Sequence, residues 1–163
     1  MADFTGTPSS SVQHALQVAG GGNANVSDVG AGLRIGYFNY VHTATSGAGT
    51  GEINLVTLPF GRVRIYSTLS KIFTSVFATS ADLHIGYRAH TDLDGAAVAL
   101  DANAFLDNAD VAGGAINSAF LLPTGGYIEL NSQDGIVIYA LVDAGNIEAA
   151  DTIAGWVAYT NQD

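Results

Sequence analysis

The residues of this chain whose types suggest chemistry are concentrated between Ala81 and Gly114. Six of the fifteen acidic residues lie there: Asp82, Asp92, Asp94, Asp101, Asp107 and Asp110. Carboxylate oxygens are ligands that Ca²⁺ prefers, but the spacing does not fit the helix-loop-helix calcium pattern, since Phe105 takes a ligand position. Asp92, Asp94 and Asp101 remain candidates for a Ca²⁺ site in a folded loop. Because Asp in such turns more often caps backbone N–H groups, we expect no cofactor.

Other site chemistries find little support in the residue pattern. His84 and His90 are six residues apart on one expected strand, roughly 20 Å, so they cannot share a metal ion. The chain has no cysteine, which excludes thiolate metal sites and disulfides. It has no G-x-S-x-G motif and no phosphate-binding loop. We therefore predict a protein that is not an enzyme, with a hydrolase built on paired carboxylates as the least favoured alternative.

Composition limits the partners. The chain is 163 residues long, 48% hydrophobic and only 12% charged, with a formal net charge of −10. An acidic surface without a Lys/Arg cluster repels phosphate backbones and anionic lipids, so neither nucleic acid nor membrane is an expected partner. No apolar run is long enough to span a membrane, and the first residues do not resemble a secretory signal. We expect a soluble protein that is made in a cytoplasm.

Short apolar stretches separated by Gly, Pro and Asp predict an all-β protein. Strands are expected over 33–42, 52–58, 62–69, 82–90, 116–122, 127–131, 135–142 and 152–159. Residues 71–79 fit a helical stripe or a strand, and their β-branched content favours the strand. Residues 96–105 fit either a single helical turn or an extended loop, within a long acidic excursion. This pattern predicts an antiparallel β-sandwich of jelly-roll type.

The chain divides into two parts by composition. Residues 1–32 are rich in Gly, Ser and Asn and are predicted to form a flexible N-terminal arm, while residues 33–163 form the β-sandwich domain. Val12, Leu16 and Val18 interrupt the polar composition of the arm. We predict that these three side chains bind a partner surface, although a purely solvated tail is the alternative.

The first predicted strand carries aromatic side chains on both faces. Tyr37 shares one face with other apolar residues, and Phe38 and Tyr40 lie on the other. A single strand cannot bury both faces in its own sandwich unless another element or subunit covers one of them. We expect Phe38 and Tyr40 to lie exposed and to bind a second copy, giving a homotrimer in preference to a dimer.

Three segments resemble a group of small structural proteins of tailed bacteriophages. They are 58–63 (LPFGRV), 86–95 (GYRAHTDLDG) and 105–111 (FLDNADV), in which an LP-x-G turn precedes a strand and a G-x-R-x-x-T-D-x-D-G segment leads into an acidic loop. The resemblance extends over about positions 50 to 160. It rests on turns and packing positions, so it implies no active-site residues.

This resemblance implies a virion component, specifically a capsid decoration (cement) protein. Such a protein is synthesised in the host cytoplasm and binds the major capsid protein on the surface of the assembled shell. The alternative is a fibre or receptor-binding module that binds carbohydrate through Tyr and Trp side chains. In the sequence these aromatics fall on different strands, which favours core and interface roles.

Overall fold

The computed structural model describes residues 32–43, 51–77, 80–123 and 126–162. These residues form β-strands and one short 3₁₀ turn, Ser67–Leu69, and include no helix able to cross a membrane. The strands are β1 Arg34–Val41, β2 Gly51–Leu58, β3 Gly61–Tyr66, β4 Lys71–Thr74, β5 Asp82–Tyr87, β6 His90–Thr91, β7 Ala97–Val98, β8 Asp101–Asp110, β9 Asn117–Ala119, β10 Tyr127–Ser132, β11 Ile136–Asp143 and β12 Thr152–Asn161. The all-β prediction is confirmed.

The first sheet is built around β12. Eight of its residues, from Thr152 to Tyr159, pair antiparallel with β1 on one side. On the other side, β4 pairs with the first half of β12 and β3 with its end, so β3 and β4 act as one strand interrupted by the 3₁₀ turn. In the same way, β10 pairs with β3 and β9 with β4. The sheet is therefore four strands wide.

The second sheet has the order β2-β11-β5-β8, with all neighbours antiparallel. The strand β11 is apolar on both faces, as expected for a strand in the middle of a sheet. The small hairpin β6–β7 stands apart and is inserted between β5 and β8.

Strand order identifies the sandwich as a jelly roll. With β3 and β4 counted as one strand, and β9 and β10 as another, eight strands remain besides the inserted hairpin. Numbered 1 to 8 along the chain, these are β1, β2, β3/β4, β5, β8, β9/β10, β11 and β12. The first sheet has the order 1-8-3-6 and the second has the order 2-7-4-5. Consecutive strands alternate between the two sheets except for the fourth and fifth, which pair in the second sheet, and this order is the double Greek key of jelly rolls. The predicted fold class is thus confirmed.

The core lies between the two sheets and consists of the inward-facing side chain at every second position. Its largest fully buried members include Phe105, Phe120, Leu55, Leu58, Ile65, Ile72, Leu83 and Ile85. The rings of Phe105 and Phe120 pack with centroids 5.5 Å apart, which joins β8 to the segment after β9.

Two predictions of local structure need correction. The acidic excursion is not a loop throughout, because residues 101–110 form β8, an edge strand that pairs with β5. Alanine, aspartate and asparagine are poor strand formers, and of its ten residues only Phe105 and Leu106 are buried. The expected strand over 71–79 is only partly present, since β4 ends at Thr74. Residues 78–79 lie outside the described part.

Candidate interaction surface

The predicted Ca²⁺ candidates lie on different elements, with Asp92 and Asp94 in the β6–β7 turn and Asp101 at the start of β8. The Asp92 carboxylate accepts hydrogen bonds from the backbone N–H groups of Asp94 (2.9 Å) and Ala96 (2.8 Å), and so closes the β6–β7 turn. The Asp101 carboxylate accepts one from the Asn103 N–H at 3.2 Å. Within the described residues, no three His, Asp or Glu side chains are grouped to hold a metal ion. The carboxylates of Asp92 and Asp101 thus accept hydrogen bonds from nearby backbone N–H groups, and the Ca²⁺ site stays a prediction.

An acidic row crosses the outer face of the second sheet. Asp82 of β5 lies directly opposite Asp110 of β8 on one side and Asp143 of β11 on the other. His84 lies beside this row, with its Nδ1 3.0 Å from Asp107 Oδ1 and its Nε2 3.4 Å from Asp143 Oδ1. His84 therefore lies between carboxylates of β8 and β11, the two strands that flank β5. The other histidine considered for metal binding, His90, lies on β6, and its Nδ1 is 3.0 Å from the Arg88 carbonyl oxygen.

The expectation that Phe38 and Tyr40 lie on an exposed face is wrong. Phe38 is only 3% exposed and belongs to the core, and Tyr40 is half-buried against it. The reason is that Gly36, on the same face, allows β1 to approach β2. A Cβ at this position would lie 3.1 Å from Val56 Cγ2. The opposite face of β1 is the exposed one.

We call the exposed outer surface of the first sheet the apolar face. On β1 it comprises Leu33, which precedes the strand, together with Ile35, Tyr37 and Val41. Tyr37 is 54% exposed and Val41 50%. Monomeric proteins rarely leave large contiguous apolar patches uncovered, and such patches usually mark an interface. The apolar face is therefore the best candidate for an interaction surface within the described residues.

Three aromatic rings form the centre of the apolar face. Trp156 on β12 lies between Tyr37 on β1 (centroids 6.4 Å apart) and Phe73 on β4 (5.6 Å apart). The indole N–H donates to the Leu69 carbonyl oxygen at 2.8 Å, which fixes the ring across the sheet. Strand pairing brings together residues that are far apart in the sequence, which is why they appeared scattered there.

The two outer sheet faces carry opposite charge. The outer side of the first sheet has three basic residues, Arg62, Arg64 and Lys71, and one acidic residue, Glu129. Arg64 Nε donates to Glu129 Oε1 at 2.7 Å, and this hydrogen bond is the main reason that the Arg64 pKa is raised. The outer side of the second sheet has one Arg, Arg88, against five acidic residues: Glu52, Asp82, Asp107, Asp110 and Asp143. Among the described residues, the outer side of the first sheet is therefore net basic and that of the second sheet net acidic.

Arg88 is held in place by its neighbours on the second sheet. Its Nη1 donates to Glu52 Oε2 at 2.5 Å and its Nε to Asn54 Oδ1 at 3.0 Å. The guanidinium lies 4.3 Å from the centroid of the Tyr139 ring, a cation–π contact. The positive charge on this sheet is therefore neutralised locally, and the remaining carboxylates dominate the outer face.

The remaining predicted binding residues, Val12, Leu16 and Val18, lie outside the described residues. Sequence reasoning missed Tyr37, Phe73 and Trp156 as a group. One signal was present for β1, because Gly36 shares a face with Phe38, and glycine in a strand often marks close backbone approach. That signal favours burial of the Phe38 face and exposure of the Tyr37 face.

Comparison with known proteins gives similarity in fold only. No family model matches the chain, and no curated protein is similar to it in sequence. Among solved structures, a chain of the cyanophage Pam1 capsid asymmetric unit is similar, with a TM-score of 0.51 and 15% identity over 82% of this chain and 87% of that one. A chain of infectious bursal disease virus, Gx strain, gives a TM-score of 0.50 at 17% identity over 80% of this chain.

The coverage of the two matches differs. The match to the infectious bursal disease virus chain spans only 32% of that chain's length, whereas the cyanophage chain is matched almost from end to end. A chain of the virus-like particle of the extra small virus of the prawn Macrobrachium rosenbergii gives a TM-score of only 0.33, which is too low to indicate a shared fold. The fold of this chain is therefore shared with a chain of the cyanophage capsid asymmetric unit over most of both chains.

Proposed function

We propose that this chain is a non-enzymatic structural protein of a bacteriophage virion, and that it decorates the assembled shell by binding the major capsid protein. The observation that carries this proposal is the match, over most of both chains, with a chain of similar length in a cyanophage capsid asymmetric unit. The resemblance of the turn segments to small tailed-phage structural proteins points in the same direction. Self-association into a homotrimer is part of the proposal.

The surface of the molecule supports a structural role. The first sheet presents apolar and basic groups, whereas the second presents carboxylates, three of which contact His84 or Arg88. A decoration protein needs one surface that binds and another that tolerates solvent, and the two outer faces fit these requirements. Binding at many sites on one lattice strengthens attachment through multivalency.

Analysis of purified virions tests this function. Virions of the phage that encodes the chain are separated on a density gradient, and their proteins are quantified by gel densitometry and mass spectrometry. We expect many copies per particle. The chain should be released by mild chaotrope while the shell stays intact, and purified chain should rebind to the stripped shells. Absence of the chain from purified virions would overturn the proposal. Loss of the shell itself on release would place the chain in the lattice and contradict a decoration role.

A second candidate function is carbohydrate binding by a receptor-binding module. The clustering of Tyr37, Phe73 and Trp156 favours it, since sugars stack on exposed aromatic rings. Against it, the cluster lies on a sheet face, and a recess of about 300 Å³ on the same sheet is lined by other residues, among them Arg62, Glu129 and Gln162. A glycan array with the intact chain decides the matter, because specific binding that is lost in Trp156→Ala would support this function over decoration.

A further inference from the structure

The ring of His84 lies where β5 meets the edge strand β8, and its side chain is only 13% exposed. The backbone N–H of Asn108 donates to its Nδ1 at 3.2 Å. The same Nδ1 is 3.0 Å from Oδ1 of the Asp107 carboxylate. A ring nitrogen with a proton donates, and one without a proton accepts. Because a backbone N–H can only donate and an ionised carboxylate can only accept, one protonation state of Nδ1 cannot satisfy both neighbours.

The neutral ring fits the contact with Asn108. Nδ1 then carries no proton and accepts from the backbone N–H, and the single ring proton lies on Nε2. This Nε2 is shielded from solvent and has no hydrogen-bond partner within the described residues, since Asp143 Oδ1 on β11 is 3.4 Å away. The other neutral tautomer would set a proton on Nδ1 against the N–H of Asn108 and leave a bare Nε2 facing Asp143.

The doubly protonated ring fits the carboxylates instead. With a proton on each nitrogen, Nδ1 donates to Asp107 on β8 and Nε2 donates towards Asp143 on β11. Such charge-assisted hydrogen bonds are about twice as strong as neutral ones. The N–H of Asn108 then points at another N–H and must move away. A single proton therefore exchanges one backbone contact for two contacts with carboxylates.

The charged groups that face the ring from the neighbouring elements are all acidic. They are Asp82 on β5 itself, Asp107 and Asp110 on β8, and Asp143 on β11. Leu141, directly opposite His84 on β11, carries no charge. Arg88, which follows β5, is paired with Glu52 on β2. An imidazolium at this place is thus surrounded by carboxylates and contacts no cation within the described part of the chain.

The backbone of β8 is irregular at this contact. The register between β5 and β8 shifts between Leu83 and Ile85, on either side of His84. Asn108 has a φ of 50°, in the left-handed region that residues other than Gly rarely adopt, although Asn tolerates it better than most. The hydrogen bond to His84 helps to hold this irregular segment. Loss of the acceptor consequently allows the segment to change conformation.

We propose that His84 is a proton-operated latch on the edge strand β8, with two positions between about pH 8 and about pH 5. Histidine is the side chain whose charge ordinarily changes in this range. At the higher pH the neutral ring holds the N–H of Asn108. At the lower pH the charged ring releases this N–H and joins β8 to β11 through Asp107 and Asp143. The latch acts within one chain, so it goes beyond the decoration function and does not depend on it.

NMR spectroscopy of the intact, isotope-labelled chain tests the latch. At about pH 8 the ring nitrogens of His84 should show the proton on Nε2. His90 is the internal control, because its Nδ1 is 3.0 Å from the Arg88 carbonyl oxygen, a contact that requires the proton on Nδ1. On acidification to about pH 5, the Asn108 amide signal should move with the same midpoint as the His84 ring. Its protection against hydrogen exchange, corrected for the intrinsic effect of pH, should fall about two- to tenfold for the loss of one hydrogen bond.

The substitution His84→Asn provides a variant that cannot titrate. Its side-chain oxygen can take the place of Nδ1 and accept from the N–H of Asn108. In this variant the Asn108 amide signal should stay unchanged between about pH 8 and about pH 5. The matched control His90→Asn removes a titrating ring from β6 and should leave the pH-dependent movement of Asn108 intact.

The latch is overturned by a neutral His84 with its proton on Nδ1, or by a ring that does not gain its second proton in this pH range. It is also overturned by an Asn108 amide that does not follow the His84 titration, or that still moves in His84→Asn. All but the last are measured on the unmodified chain, so the test remains decisive if His84→Asn folds poorly.

Discussion

At position 86 the backbone of β5 passes so close to β8 that no side chain fits. A Cβ on Gly86 would lie 1.8 Å from the carbonyl oxygen of Asp101, which is backbone and cannot move aside cheaply. We predict that Gly86→Ala lowers the free energy of unfolding by at least about 2 kcal/mol, because β8 must shift. Urea denaturation measures this difference. Gly114→Ala is the control, since no atom lies within 4 Å of its Cβ, and an equal loss there would contradict the argument.

Three tyrosines predict how stability depends on alkaline pH. Burial raises the pKa of Tyr40, Tyr87 and Tyr139 above the ordinary value of 10.0, and nearby carboxylates add to the increase for Tyr87 and Tyr139. The folded chain therefore keeps these phenolic protons to a higher pH than the unfolded chain does. The resulting stabilisation is complete below pH 10 and is lost as the pH rises through the folded pKa values.

Urea midpoints measured from about pH 9 to about pH 11 should consequently fall with increasing pH. The triple variant Tyr40→Phe/Tyr87→Phe/Tyr139→Phe keeps the rings but has no phenol to ionise, so its decline should be shallower. A decline as steep as that of the unmodified chain would assign the effect to other groups.

Among the strands, the acidic row on the second sheet is a source of repulsion. Asp82 lies between Asp110 and Asp143, and like charges directly opposite each other on neighbouring strands destabilise a sheet. We predict that Asp82→Asn stabilises the protein by about 0.2–1 kcal/mol. Thermal unfolding at low ionic strength measures this, and the gain should shrink with added salt. Asp94→Asn, in an exposed turn, changes the net charge equally and should stabilise less.

The sequence predicted strands well where one face is buried and the other is not. β3 alternates in burial for this reason, and β2 and β5 do so apart from one pair of consecutive buried residues in each. The expected strand over 52–58 is confirmed, whereas those expected over 62–69 and 82–90 end earlier, at Tyr66 and Tyr87. β8 was missed because Asp, Asn and Ala dominate it, and its place depends on pairing with β5 and not on local propensity. For β1, apolar residues on both faces left the inward side undetermined. Only the packing of Phe38 against the core resolves it.

The aromatic group of Tyr37, Phe73 and Trp156 shows a second limit of prediction from the sequence. Tyr37 and Trp156 are directly opposite in register, although 119 positions (156 − 37) separate them. No local pattern carries that information, since it follows from the jelly-roll order of the strands. The candidate surface therefore became visible only once the first and last strands were paired.

At the scale of the whole molecule, the predicted arm provides a test of docking to the shell. Deleting residues 1–32 keeps all the strands of the described domain, so the melting temperature should change little. We predict that shell occupancy falls by at least about tenfold, because one buried Val or Leu side chain contributes about 1.5–3 kcal/mol. Replacing Val12, Leu16 and Val18 by Ser should have the same effect, whereas removing residues 1–8 should do little.

Shell occupancy by quantitative gel analysis is the measurement, paired with the melting temperature of each variant. If the shortened chain occupies shells as fully as the intact chain, the arm is not a docking element. Docking would then belong to the sandwich itself, with the segment 91–114 as the first region to mutate.

The pairing of β1 with β12 also sets the order of events during synthesis. β12 is the strand around which the first sheet is built, yet its residues lie 111 to 125 positions (152 − 41 and 159 − 34) after their β1 partners. A ribosome has therefore translated nearly the whole sandwich before this sheet can close, and β1, β3 and β4 wait without their central neighbour. Long-range pairing of this kind slows folding and leaves apolar strands open to aggregation. Production of this chain should accordingly benefit from slow, cool expression with chaperones, and early termination before Thr152 should give insoluble fragments.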